Sequence, residues 1–141
     1  MRVHGTAILL FIVATSAGFA GCSAHGDAIG PQDVAGNWAG STSQDKQMLL
    51  TVTSAGVSDA TFTYVLQGSH CGYTSMLQIP STQAMPINGG RFTMERTQAG
   101  AALFISATGQ FASSTQATGT LLVQDGQCGD TLSVTWSATK Q

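Results

Sequence analysis

Ala60-Thr61-Phe62-Thr63-Tyr64-Val65-Leu66-Gln67 sets Phe62, Tyr64 and Leu66 on one side of an extended chain and Thr61, Thr63 and Val65 on the other. That two-residue period belongs to a strand with one face buried. The same alternation recurs along the chain. Lys46 to Thr53 aligns Met48, Leu50 and Val52; Arg91 to Thr97 aligns Phe92 and Met94; Gln127 to Ala138 aligns Leu132, Val134 and Trp136. Leu103, Ile105, Ala107, Gly109 and Phe111 share a face over a longer piece, bent at Gly109, and Thr118 to Gln124 supplies another. Turn signals separate these pieces: Ser54-Ala55-Gly56, Gly68-Ser69, Asn88-Gly89, Gly100, Ser113-Ser114 and Asp125-Gly126.

The fold expected from this pattern is all-β, an antiparallel meander of eight or nine strands. Closing the meander into a barrel removes the unpaired edges of an open sheet; a two-sheet sandwich of the same strands is the alternative. The first strand is read from Val34 to Thr42. Cys71 to Ile79 places Tyr73, Ser75, Leu77 and Ile79 opposite Met76 and Gln78, with Pro80 ending that strand or confining it to an edge. Asn88-Gly89 is the strongest hairpin signal, and it predicts that Met85–Asn88 pairs with Arg91–Thr97. Asp125-Gly126 is the second. Helix formers are scarce, with Glu95 the only glutamate in the chain.

The N-terminal segment has the layout of an export signal: Arg2 supplies the charge, and Ala7-Ile8-Leu9-Leu10-Phe11-Ile12-Val13-Ala14 the apolar run. It is shorter than the roughly 20 apolar residues of a membrane-spanning helix. The segment ends in Phe19-Ala20-Gly21-Cys22, which resembles the lipobox of bacterial lipoproteins at Ala20, Gly21 and Cys22 and departs from it at Phe19, where an aliphatic residue is usual. The resemblance implies cleavage before Cys22 and lipidation of its thiol, two acyl chains being enough for stable anchoring. The alternative is a plain secretory peptide cut after Ala20 or Ala24. The expected organisation is a signal peptide over 1–21, a lipidated tether over 22–33 containing Gly26, Gly30 and Pro31, and one domain over 34–141. Ser23, which is not Asp, resembles the sorting signal for an outer membrane in hosts that have one.

Three cysteines make an odd count, which an exported chain seldom carries without a use. Lipidation of Cys22 leaves Cys71 and Cys128 to form a disulfide in an oxidising compartment; two buried free thiols are the other reading. Such a bond constrains the unfolded chain by roughly 4 kcal/mol.

Past the signal, Lys46, Arg91, Arg96 and Lys140 face seven Asp and Glu, and no basic run exists to grip phosphates, so nucleic acid is not an expected partner. His4 lies in the signal and His25 in the tether, leaving His70 alone in the domain. A metal site built on paired histidines is excluded, and His70 and Cys71 project to opposite faces of a strand. Nucleophile elbows, zincin motifs, phosphate loops and calcium loops are missing, and Asp45, Asp59, Asp125 and Asp130 fall at turns. No catalytic residue, metal or cofactor is assigned.

Gly36-Asn37-Trp38 on the first strand resembles the Gly-x-Trp signature of the calycin group, the meander barrels that include lipocalins, avidins and a bacterial metalloprotease-inhibitor family. The resemblance implies that Trp38 packs at the closed end of a barrel against a basic residue of the last strand, for which Lys140 is the candidate. The chain is also similar to small exported domains that open on Gly-x-Trp-x-Gly and close on a Gly-x-Cys-Gly strand, here Gly126-Gln127-Cys128-Gly129. Trp38 and Trp136 sit on apolar faces and are read as core. The expected function is a lipid-anchored envelope protein, non-catalytic, binding a small apolar ligand or a partner protein; the alternatives are an inhibitor of an exported protease or other hydrolase, a structural envelope lipoprotein, and secretion in place of anchoring.

Overall fold

The computed structural model of the chain describes residues 29–68, 71–98, 100 and 102–141. One helical turn, α1 (Pro31–Val34), leads into eight strands: β1 (Gly36–Thr42), β2 (Gln47–Thr53), β3 (Gly56–Gln67), β4 (Gly72–Met85), β5 (Arg91–Gln98), β6 (Leu103–Phe111), β7 (Gln116–Asp125) and β8 (Asp130–Lys140). They form one antiparallel sheet in the order β4-β3-β2-β1-β8-β7-β6-β5. The first and last strands pair, with Trp38 opposite Lys140 and Thr42 opposite Trp136. The sheet therefore curls towards closure, and its two edges, β4 and β5, come from the middle of the chain.

The alternating faces read from the sequence are the buried ones. Met48, Leu50 and Val52 of β2, Phe62, Tyr64 and Leu66 of β3, Phe92 and Met94 of β5, and Val134 and Trp136 of β8 all lie inside. Five rings run through this interior in contact: Trp38 meets Phe111 edge-on at 5.0 Å, and Phe111, Phe92, Trp136 and Phe62 follow at 5.7, 6.1 and 6.1 Å. Space for Trp136 comes from Gly109 and Gly119, which stand opposite each other on β6 and β7. A Cβ on either would strike its indole, and one on Gly109 would also strike Phe92. Val34 is fully buried, and its carbonyl accepts the Trp38 indole N–H at 2.9 Å. Ile29 packs against the core as well, so packing begins ahead of residue 34 and the first strand starts at Gly36.

The expectation of a closed barrel needs correction, because no ladder joins β4 to β5. Asn88 and Arg91 do exchange both backbone hydrogen bonds, at 2.8 and 3.0 Å. The left-handed residues between them are Gly89 (φ 56°) and Gly90 (φ 74°), one position later than the sequence reading put them. The bridge stays isolated. In an antiparallel ladder the next such pair falls two residues on, at Pro86 and Thr93, and Pro86 has no N–H to give. Met85 pairs instead with Val57 of β3. Pro80 does not end its strand: β4 continues through it to Met85, as an edge strand can. The other hairpin also differs from expectation, since residues 126–129 form the β7–β8 turn and the left-handed residue is Gly129 (φ 66°).

Candidate binding site

The curled sheet has two distinct ends. At one, Ile29 approaches Gly90, Lys140 bonds to the Thr115 carbonyl, and Gln141 bonds to the Asn37 carbonyl. Lys140, opposite Trp38, lays its stem over Gly36, where a Cβ would come within 2.9 Å of the lysine Cε. At the other end Gly68, which follows β3, lies against the β7–β8 turn and the start of β8. Gly68 is the contact: a Cβ there would lie 2.8 Å from the Cys128 carbonyl and 3.0 Å from the Asp130 side chain.

Two cross-links tie the start of β4 to the same turn. Cys71 and Cys128 form a disulfide, their Cα atoms 5.3 Å apart. Beside it the Tyr73 hydroxyl donates to Asp125 Oδ2 at 2.7 Å. Asp125 uses its other oxygen to accept the Gln127 and Cys128 backbone N–H groups at 2.9 and 3.1 Å, which shapes the turn that presents Cys128. Burial first, then the bond to Asp125, pushes the Tyr73 phenol upward. The Tyr73 hydrogen bond, then the Cys128 N–H, holds the Asp125 carboxyl below its ordinary value.

This strap draws the start of β4 across the mouth to the β7–β8 turn, while Pro86 interrupts pairing at the strand's far end. A seam remains between β4 and β5. Its inner part is a cleft of about 340 Å³ whose lining includes Tyr64, Leu77, Leu103 and Ile105, with Met76 and Arg96 at the lip. Arg96 follows Phe92 and Met94 on the inward face of β5, the position of a core residue, yet it is exposed. Its guanidinium crosses the seam and donates to the Gln78 carbonyl at 3.3 Å. One side chain thus spans a gap that backbone pairing leaves open.

The free backbone groups on each side follow from the pairing phase. Gly68 N–H bonds to the Cys71 carbonyl, so odd-numbered β4 residues face β3, and Gly72, Thr74, Met76 and Gln78 turn theirs to the seam. Acceptance of Arg96 by Gln78 agrees. On β5, Phe111 N–H bonds to the Gly90 carbonyl and Arg91 bonds to Asn88, so Thr93, Glu95 and Thr97 face the seam.

Cys22 and His25 lie outside the described residues, as does His70. Arg96 and the Tyr73–Asp125 pair were not singled out as site residues in the sequence. An arginine in the apolar phase of an alternating strand was the available signal; the tyrosine–aspartate pair, separated by 52 positions, gave none. Among the described residues no group of three or more His, Cys, Asp or Glu comes together to hold a metal, and no helix is long and apolar enough to cross a membrane. No family model matches the chain, and no curated protein is significantly similar to it.

Proposed function

We propose that the chain is a lipid-anchored protein of a bacterial cell envelope, held by Cys22, whose domain binds a partner without transforming it. The observation that carries the reading is the seam: two unpaired strand edges over a partly apolar cleft, in a wall otherwise continuously paired. The Cys71–Cys128 disulfide is compatible with export. The barrel interior holds Trp38, Phe62, Phe92, Phe111 and Trp136, which moves the favoured binding place from the central cavity to the seam.

The anchor also gives an orientation. Seven positions separate Cys22 from Ile29, a reach of at most about 25 Å. The end bearing Ile29 and Gln141 then faces the lipid, and the strapped end of the seam faces away. A calycin-like ancestry for the barrel is part of the same proposal, supported by the β1–β8 pairing and by Lys140 opposite Trp38.

Intact mass of the protein extracted from its own membranes, with and without reduction, tests the reading. The expected mass is that of a chain beginning at Cys22 plus acyl chains, rising by two hydrogens on reduction. An unlipidated mass removes the anchor, and native mass spectra showing neither a ligand nor a partner at any concentration remove the binding role.

A further inference from the structure

We infer that the occupant of the seam is an extended segment of another polypeptide, added as a strand antiparallel to β4 along Gly72–Gln78; the inference rests on the binding role proposed above. Unpaired N–H and C=O groups in a row are complementary to another strand. The β4 edge offers four such residues, Gly72, Thr74, Met76 and Gln78, before Pro80 withdraws the next donor. No residue of Gly72–Gln78 is charged, and Met76 on its outer side is 67% exposed. The β5 edge is less receptive, because Arg91 and Glu95 bracket Thr93 there.

Direction allows only one edge to be used well, and the uncharged one is β4. β4 and β5 run opposite ways, so a single strand between them is antiparallel to only one, and antiparallel pairing is the more stable. Inward side chains of the added strand would meet Tyr64, Leu77, Leu103 and Ile105 together with the polar Ser75 and Arg96, a lining that suits apolar side chains carrying a polar end; the alternate ones meet solvent beside Thr74 and Met76. Arg96 must release the Gln78 carbonyl to admit the strand, which makes it a latch.

A second copy of this chain is the obvious competitor. Antiparallel pairing of β4 with its own copy inverts one molecule end over end and carries its Ile29 end to the opposite side. Two molecules anchored by short tethers in one leaflet cannot adopt that arrangement, so the segment belongs to a different chain.

The test is to pan a random nonapeptide library against the full protein, extracted in detergent micelles with its disulfide intact, and to follow backbone amide exchange with the selected peptides bound. The expected result is extended peptides with large side chains at alternate positions that slow exchange at Thr74, Met76 and Gln78. Met76→Pro removes one seam-facing N–H and should abolish their binding, with Thr74→Pro as the second variant if the first does not fold. Arg96→Ala removes the competing hydrogen bond and should tighten binding about threefold to tenfold. Peptides that protect other amides, or that bind the proline variants equally well, overturn the inference and leave the binding role standing. An empty selection overturns both, and a concentration-dependent dimer that protects β4 identifies a second copy as the occupant and also overturns the inference.

Discussion

Trp38 and Trp136 occupy one core with opposite polar fates. The Trp38 indole N–H reaches the Val34 carbonyl at 2.9 Å, whereas the Trp136 N–H is buried without a hydrogen-bond partner among the described residues. Replacing each by Phe removes similar volume, but only Trp38→Phe strands a buried carbonyl. Trp38→Phe is expected to destabilise by about 1 kcal/mol more than Trp136→Phe in denaturant unfolding; equal losses would contradict this. Tyr73 and Asp125 make a pH prediction. Asp125 is held below its ordinary value, so its contribution is present above about pH 4 and lost as pH falls through the folded-state value. Tyr73 is pushed above its ordinary value, so its contribution is present below about pH 10 and lost as pH rises further. Tyr73→Phe should remove that alkaline loss and reduce the acid loss, which the Gln127 and Cys128 N–H groups keep from vanishing. Unfolding midpoints against pH that coincide for the two proteins would contradict the assignment.

Among the elements, β4 is the one whose behaviour depends on partners far along the chain. The disulfide at its start spans 57 positions, so Cys71→Ser with Cys128→Ser is expected to lower stability by about 4 kcal/mol in chemical denaturation. A loss near zero would mean that Tyr73 and Asp125 hold the start of β4 to the β7–β8 turn unaided. What the sequence could and could not disclose divides at this element. Phe62, Met48 and Trp136 announced their strands because a half-buried strand writes its period into nearest neighbours. The opening beside β4 was not legible, although Pro80 and Pro86 were. Whether a proline interrupts a ladder depends on which face its missing N–H would have served, and that phase is set by the pairing of Gly68 with Cys71 and of Asn88 with Arg91. Asn88-Gly89 carries the hairpin signal, and the turn's left-handed pair lies one position later because Gly90 accepts positive φ as readily.

At the scale of the molecule, a sheet whose first and last strands pair is left with a single interruption, and that interruption carries the cleft, the unpaired backbone groups and an inward-phase arginine together. The Cys71–Cys128 and Tyr73–Asp125 cross-links lie at one end of the seam and the start of the packed chain at the opposite one, so the anchor proposed at Cys22 would leave the cross-linked end facing away from the lipid. Residue-resolved amide exchange along β4 in the purified protein tests the open seam most directly. The account predicts slow exchange at Tyr73, Ser75 and Leu77, whose groups face β3, and fast exchange at Thr74, Met76 and Gln78. Slow exchange at all six would mean that β4 is paired on both sides, which contradicts the open seam and the binding site built on it.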